Sequence, residues 1–288
     1  MLIDVRQPRP QIPLPVQREV RQRCGFGCVV CGMPLYEYEH MLGWAEVQRH
    51  VAEEITLLCD QHHREKTSGL LPLEVVRQAN ESPFNLGQGD SKPYDLHYSG
   101  TECEAFIGGN RFTTMDAGNG TAMTALMIDD TPMLGFVLSE GHLLLQVNLF
   151  NEANELVLRI ADNELVYSVS PWDVRLIGRR LEIREDLGQF LIEIEFEVPN
   201  VVRVLRGRFL RNGVEVLVAP DYALVTNNRT LISSNTMLNC GAGLVIGASE
   251  QEGPCVFRVT GVPRYWAGQR VQAVAWACRA SRFLAGLT

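Results

Sequence analysis

Two short spacings constrain this chain more than any other feature. Cys28-x-x-Cys31 lies in GFGCVVCGM, and Cys59-x-x-His62 lies in LLCDQHHR. Each pair sits on a tight turn, so its two donors reach one ion. Thiolate sulfurs bind zinc at about 2.3 Å and imidazole nitrogens at about 2.0–2.1 Å. Four protein donors fill a tetrahedral shell, so the expected zinc is structural and holds a small module that lacks a large core. The alternatives are a metal-free buried cluster or a redox pair, and Cys24 is a rival donor on the segment before the knuckle. The remaining cysteines, Cys103, Cys240, Cys255 and Cys278, are scattered singly. Isolated cysteines usually fill apolar cores, and that role is expected for them.

A second constellation remains once the zinc is placed. His63 directly follows His62, and adjacent residues at a helix start point in different directions. Glu39-His40 ends a short strand before that helix. A carboxylate and an imidazole can hold a hard divalent cation while another imidazole acts as base. Those are the parts that phosphodiester hydrolysis needs.

Taken in order, RQRCGFGCVVCG, YEH and ITLLCDQHHREKT resemble the HNH endonuclease family, the ββα-metal nucleases, over about residues 16–80. The resemblance implies a treble-clef-like zinc module with Cys28, Cys31, Cys59 and His62 on the structural zinc. It implies His40 as the general base. It also implies Glu39 and His63 as ligands of a catalytic Mg²⁺ or Mn²⁺. One position departs from the family. Glu54 stands where an Asn normally orients the catalytic histidine, and a carboxylate can accept the same bond from an imidazole N–H. Arg18, Arg21, Arg23, Arg64 and Lys66 are the candidate phosphate contacts.

Charge limits the partner. The chain carries 26 basic and 34 acidic residues, a net −8, and phosphate neutralisation by Lys and Arg usually dominates nucleic-acid affinity. Strong non-specific binding is therefore disfavoured, whereas a small basic patch or a bound cation remains compatible. Nucleic acid, DNA favoured, is the expected partner. No apolar run reaches the length of a membrane span and no secretory h-region is visible, so a cytoplasmic location and no membrane partner are expected.

The expected class is α+β, a small zinc module followed by a large all-β domain. Residues 1–15 carry a Pro-rich arm, 16–80 the module and 81–97 a linker rich in turn-forming residues. Residues 98–288 show β-rich runs such as HLLLQVNLF, FLIEIEF and VVRVLRG, separated by turns such as ADN and RNG. Stacked solenoid rungs are favoured, with a two-sheet sandwich as the alternative. His97, His142, Asp129-Asp130 and Trp172-Asp173 have no partner at informative spacing, and structural roles are expected. A targeting, sensing or self-associating role for this region accompanies the nuclease reading. Its rivals are a non-catalytic zinc adaptor, or a β-domain binding module for which the zinc unit is a docking element.

Overall fold

The computed structural model describes residues 10–118, 120–248 and 255–266. Residues 1–9 of the expected arm, Cys278 and the side chain of Cys255 lie outside the described residues. Among the described residues, 46% are strand and 16% helix. The expected α+β class is therefore corrected to a largely all-β one. Every helix among the described residues falls before residue 90. Two compact units divide the chain, residues 1–92 and 93–288.

The first unit begins with α1 (Leu14–Arg23), which has proline in its first turn, where a missing N–H goes unused. The cysteine knuckle follows. Gly32 N donates to Cys28 O at 2.7 Å and Cys28 N to Met33 O at 2.9 Å. Gly32 has φ +76 and abuts Asn85 and Phe84, so neither the conformation nor the space admits a side chain. Next, β1 (Glu37–His40) pairs antiparallel with β2 (Ile55–Leu58), placing Glu39 opposite Thr56 and His40 opposite Ile55. The excursion between them holds α2 (Trp44–Val47) and a 3-10 turn (Ala52–Glu54). Every residue of β2 is buried, and the strand runs straight into α3 (Asp60–Thr67). Val20, Val29, Ile55, Leu57 and Leu58 form the apolar core beside the cysteines.

Residues 81–97 are more ordered than their turn-rich composition suggests. After α4 (Leu73–Glu81) comes α5 (Phe84–Gln88). The buried Asn85 amide donates to Gly25 O at 2.9 Å and Gly32 O at 3.3 Å. This side chain thus clamps both flanks of the knuckle.

Two large mixed sheets, of eight and ten strands, make up the second unit. The favoured solenoid is corrected by the turns. Glu140-Gly141, Asp162-Asn163 and Asn212-Gly213 all have positive φ at both residues. Their flanking residues pair directly, Ser139 with His142, Ala161 with Glu164 and Arg211 with Val214. Such two-residue turns match the right-handed twist of the strands and fold neighbours back antiparallel. Stacked rungs instead need parallel neighbours reached by longer crossovers. Alternation then buries one face, as in His142–Phe150, where every second residue from Leu143 to Leu149 is buried. The sheets meet where the Phe112 ring packs on Gly243. Cys103 and Cys240 are buried as apolar fillers, and burial above all pushes the Cys103 thiol up to about 12.

A hairpin in the ten-stranded sheet offers a packing test. Gly108 has φ +53, and a Cβ there would collide with the backbone carbonyl of Tyr222. Gly108→Ala is expected to cost about 2–3 kcal/mol, from the left-handed conformation plus the clash. Urea unfolding of the purified chain measures it, and a loss below half that range would mean the hairpin shifts freely. Among the described residues, no helix is long and apolar enough to cross a membrane.

Candidate metal centre

The knuckle and the start of α3 bring Cys28, Cys31, Cys59 and His62 together, with all donor atoms within 4.8 Å of one another. Cys59 is the N-cap of α3 and His62 lies in its first turn, so both face the same point. Cys31 Sγ lies 3.8 Å from Cys59 Sγ. Two sulfurs on one tetrahedral zinc are separated by about 3.8 Å, given bonds of about 2.3 Å. His62 Nδ1 is 3.3 Å from Cys28 Sγ and 3.2 Å from Cys59 Sγ. This Cys3His cluster is able to bind a structural zinc ion. A hydrogen bond from Cys28 is the main cause that lowers the Cys31 thiol to about 5, and the same bond, with burial, raises Cys28. One proton shared between two sulfurs is the metal-free counterpart of a thiolate pair. Cys24 stands apart. It is buried, and its Sγ lies 3.8 Å from Asn80 Oδ1.

The second constellation lies on the other side of α3. His63 Nε2 is 3.1 Å from Glu39 Oε2, and His63 Nδ1 is 3.7 Å from Glu37 Oε2. The imidazole and the carboxylate are thus within hydrogen-bond distance of each other. Glu37, to which the sequence assigns no role, lies on the side of the opposite ring nitrogen. Lys66 Nζ also reaches Glu39 Oε1 at 2.6 Å. Among the described residues, no second group of three or more donors converges as the Cys3His set does.

His40 is adjacent but turned differently. It is only 1% exposed, and its ring packs against Trp44 and His50. Glu54 does not take the orienting place expected of it. Its carboxylate is held by the Arg49 guanidinium, and that hydrogen bond is the main cause keeping its acidity stronger than usual. A guanidinium fork matches both carboxylate oxygens, which a single imidazole N–H does not.

The candidate phosphate contacts separate into two groups. Arg21 is 4% exposed and donates to the Tyr38 hydroxyl at 2.6 Å. Arg23 donates to Ala52 O at 2.9 Å, to Ile55 O at 2.5 Å and to Asn80 Oδ1 at 2.7 Å. These two side chains serve the interior of the unit. Arg18 is half-buried, Arg64 is exposed on α3, and Lys66 is committed to Glu39. No family model and no curated protein matches the chain, and no solved structure matches its fold.

Proposed function

We propose that the N-terminal unit is a metal-dependent endonuclease acting on nucleic acid, DNA favoured, with the β-rich unit serving targeting, sensing or self-association. One observation carries this reading: the Glu39 carboxylate and His63 imidazole converge to 3.1 Å on a β-β-α frame, beside His40. A Mg²⁺ or Mn²⁺ ion held by Glu39 and His63 would supply positive charge to the scissile phosphate and the leaving oxygen. His40 accepts the proton of the attacking water. Arg64 offers a cation to a flanking phosphate.

Wild-type protein is expected to nick plasmid DNA at low ionic strength with Mg²⁺ or Mn²⁺, and EDTA to stop it. His40→Ala is expected to lose about 10²–10⁴-fold in rate, the range for removing a general base, with its bound zinc unchanged. The rival adaptor reading draws on two observations, the Lys66 ammonium seated on Glu39 and the burial of His40. A wild-type protein inert on DNA and RNA with every divalent metal would leave the adaptor reading in place.

A further inference from the structure

Four polar side chains meet where β1 faces α3. Glu37 and Glu39 are two apart on β1 and share one face of the strand. His63 and Lys66 are three apart on α3 and share one face of the helix. His63 reaches both carboxylates, at 3.1 Å from Glu39 Oε2 and 3.7 Å from Glu37 Oε2. Lys66 Nζ donates to the other Glu39 oxygen, Oε1, at 2.6 Å and lies 3.4 Å from His40 O. Both Glu39 oxygens therefore have a partner supplied by α3.

The Lys66 contact is the least screened of these. The Lys66 and Glu39 side chains are each 14% exposed, whereas Glu37 is 61% exposed. Water and salt weaken an exposed ion pair far more than a largely buried one. The carboxylate is a donor for hard cations such as Mn²⁺, and the imidazole is a donor for transition metals. The ammonium nevertheless already neutralises Oε1. A divalent ion on Glu39 and the Lys66 ammonium are like charges at close range, and little solvent separates them. Lys66 sits on a flexible four-carbon stem, which lets the ammonium swing to water without moving α3.

We infer that Lys66 is an internal competitor for the divalent cation: its ammonium holds Glu39 until a metal ion exchanges with it. Exchange breaks the contact between Nζ and Oε1, sends the ammonium to solvent and frees Glu39 for the incoming ion. The charge of Lys66 thereby sets the metal concentration at which the site loads. The consequence for cleavage rests on the nuclease reading. The competition at Glu39 does not, because it is read from metal binding alone.

Mn²⁺ is the probe, titrated into the full chain and followed by loss of the free-ion signal in electron paramagnetic resonance. Lys66→Met and Lys66→Gln both remove the charge, the first keeping an apolar stem and the second a hydrogen-bond donor. Each should bind Mn²⁺ about tenfold to a hundredfold more tightly than wild type. Lys66→Arg keeps the charge, and its affinity should stay near that of wild type. Adding Glu39→Gln to Lys66→Met should abolish the gain. In plasmid nicking, the Mn²⁺ concentration for half-maximal rate should fall by the same factor in the neutral variants. A contact that only clasps strand to helix predicts lower stability in Lys66→Met with unchanged Mn²⁺ affinity, and that result overturns the inference. An equal gain in Lys66→Arg overturns it too, as does a gain that survives Glu39→Gln. Tighter Mn²⁺ binding in the neutral variants, with no cutting by any of the proteins, sinks the nuclease reading alone and upholds the competition.

Discussion

Purified protein is expected to carry about one zinc ion per chain, and Cys59→Ser to lose both that ion and the fold of the N-terminal unit. Structural zinc contributes apparent folding free energy of about 10–16 kcal/mol at neutral pH, far more than any side-chain contact in a unit this small. The core around the cluster is correspondingly modest, with Val20, Val29, Ile55, Leu57 and Leu58 as its main apolar members. Serine offers no thiolate, and it would leave Cys28, Cys31 and His62 without the fourth donor. Hydrogen exchange is the readout. In Cys59→Ser the amide of Val29, bonded to Leu57 O at 3.0 Å, should lose its protection. Cys24→Ser is the control, because that sulfur faces Asn80 rather than the cluster. It should keep zinc and protection. Zinc loss in Cys24→Ser with retention in Cys59→Ser would reassign the ligand set.

That ligand set was legible because it is local. The x-x spacings place each donor pair on one turn, and no distant residue has to be known. The contact between Glu39 and His63 was legible for a related reason, since a strand leading into a helix leaves few ways to seat two adjacent histidines. Asn85 was not legible. Its role is to bond Gly25 and Gly32, both more than fifty residues away in sequence, and nothing in ESPFNLGQG marks one polar residue as buried. Arg21 and Arg23 show the converse problem. Positive charge near a knuckle reads as a phosphate patch, but Arg23 donates to the carbonyls of Ala52 and Ile55 instead.

The β-rich unit was read one level too coarsely. Strand length and spacing are the same for stacked rungs and for a meander, so they do not choose between them. Turn chemistry does choose. ADN and RNG were recognised as turns, but their Asp-Asn and Asn-Gly pairs are residues that tolerate positive φ twice in succession. That property belongs to two-residue hairpins and decides for antiparallel neighbours. The second site departs from its sequence reading for a different reason. Position in a motif points to Glu54 but carries no sign of Arg49 five residues earlier, whose guanidinium fork holds the carboxylate.

Arg208 carries the other large expected effect. Its Nη1 donates to Glu185 Oε2 at 2.8 Å and its Nη2 to Glu152 Oε1 at 2.6 Å, while Nε donates to Glu215. Three carboxylates therefore share one guanidinium. Glu215 is 2% exposed and Arg208 is 14% exposed at the side chain. Glu215 also accepts from Thr226 Oγ1 at 2.8 Å, which fixes its position. Arg208→Met keeps length and apolar contact but strands a buried carboxylate beside two others. Breaking a buried pair by removing one partner costs about 3–5 kcal/mol, and that loss is expected at neutral pH. The pH dependence has a definite sign. Burial is the main cause that raises the Glu185 carboxyl above its ordinary range even with Arg208 present. A carboxyl raised in the folded state favours folding below its unfolded pKa, and that contribution disappears as pH rises through the folded one. Without the guanidinium, protonation is the remaining way to relieve the cluster, and Glu185 is placed to take the first proton. The stability gap between wild type and Arg208→Met should therefore narrow as pH falls from 7 toward 5. Adding Glu215→Gln should recover part of the neutral-pH loss, since it removes the most deeply buried charge. Urea midpoints at several pH values, at constant slope, measure all three proteins. A gap under about 1 kcal/mol that does not change with pH would show that the three carboxylates do not depend on Arg208.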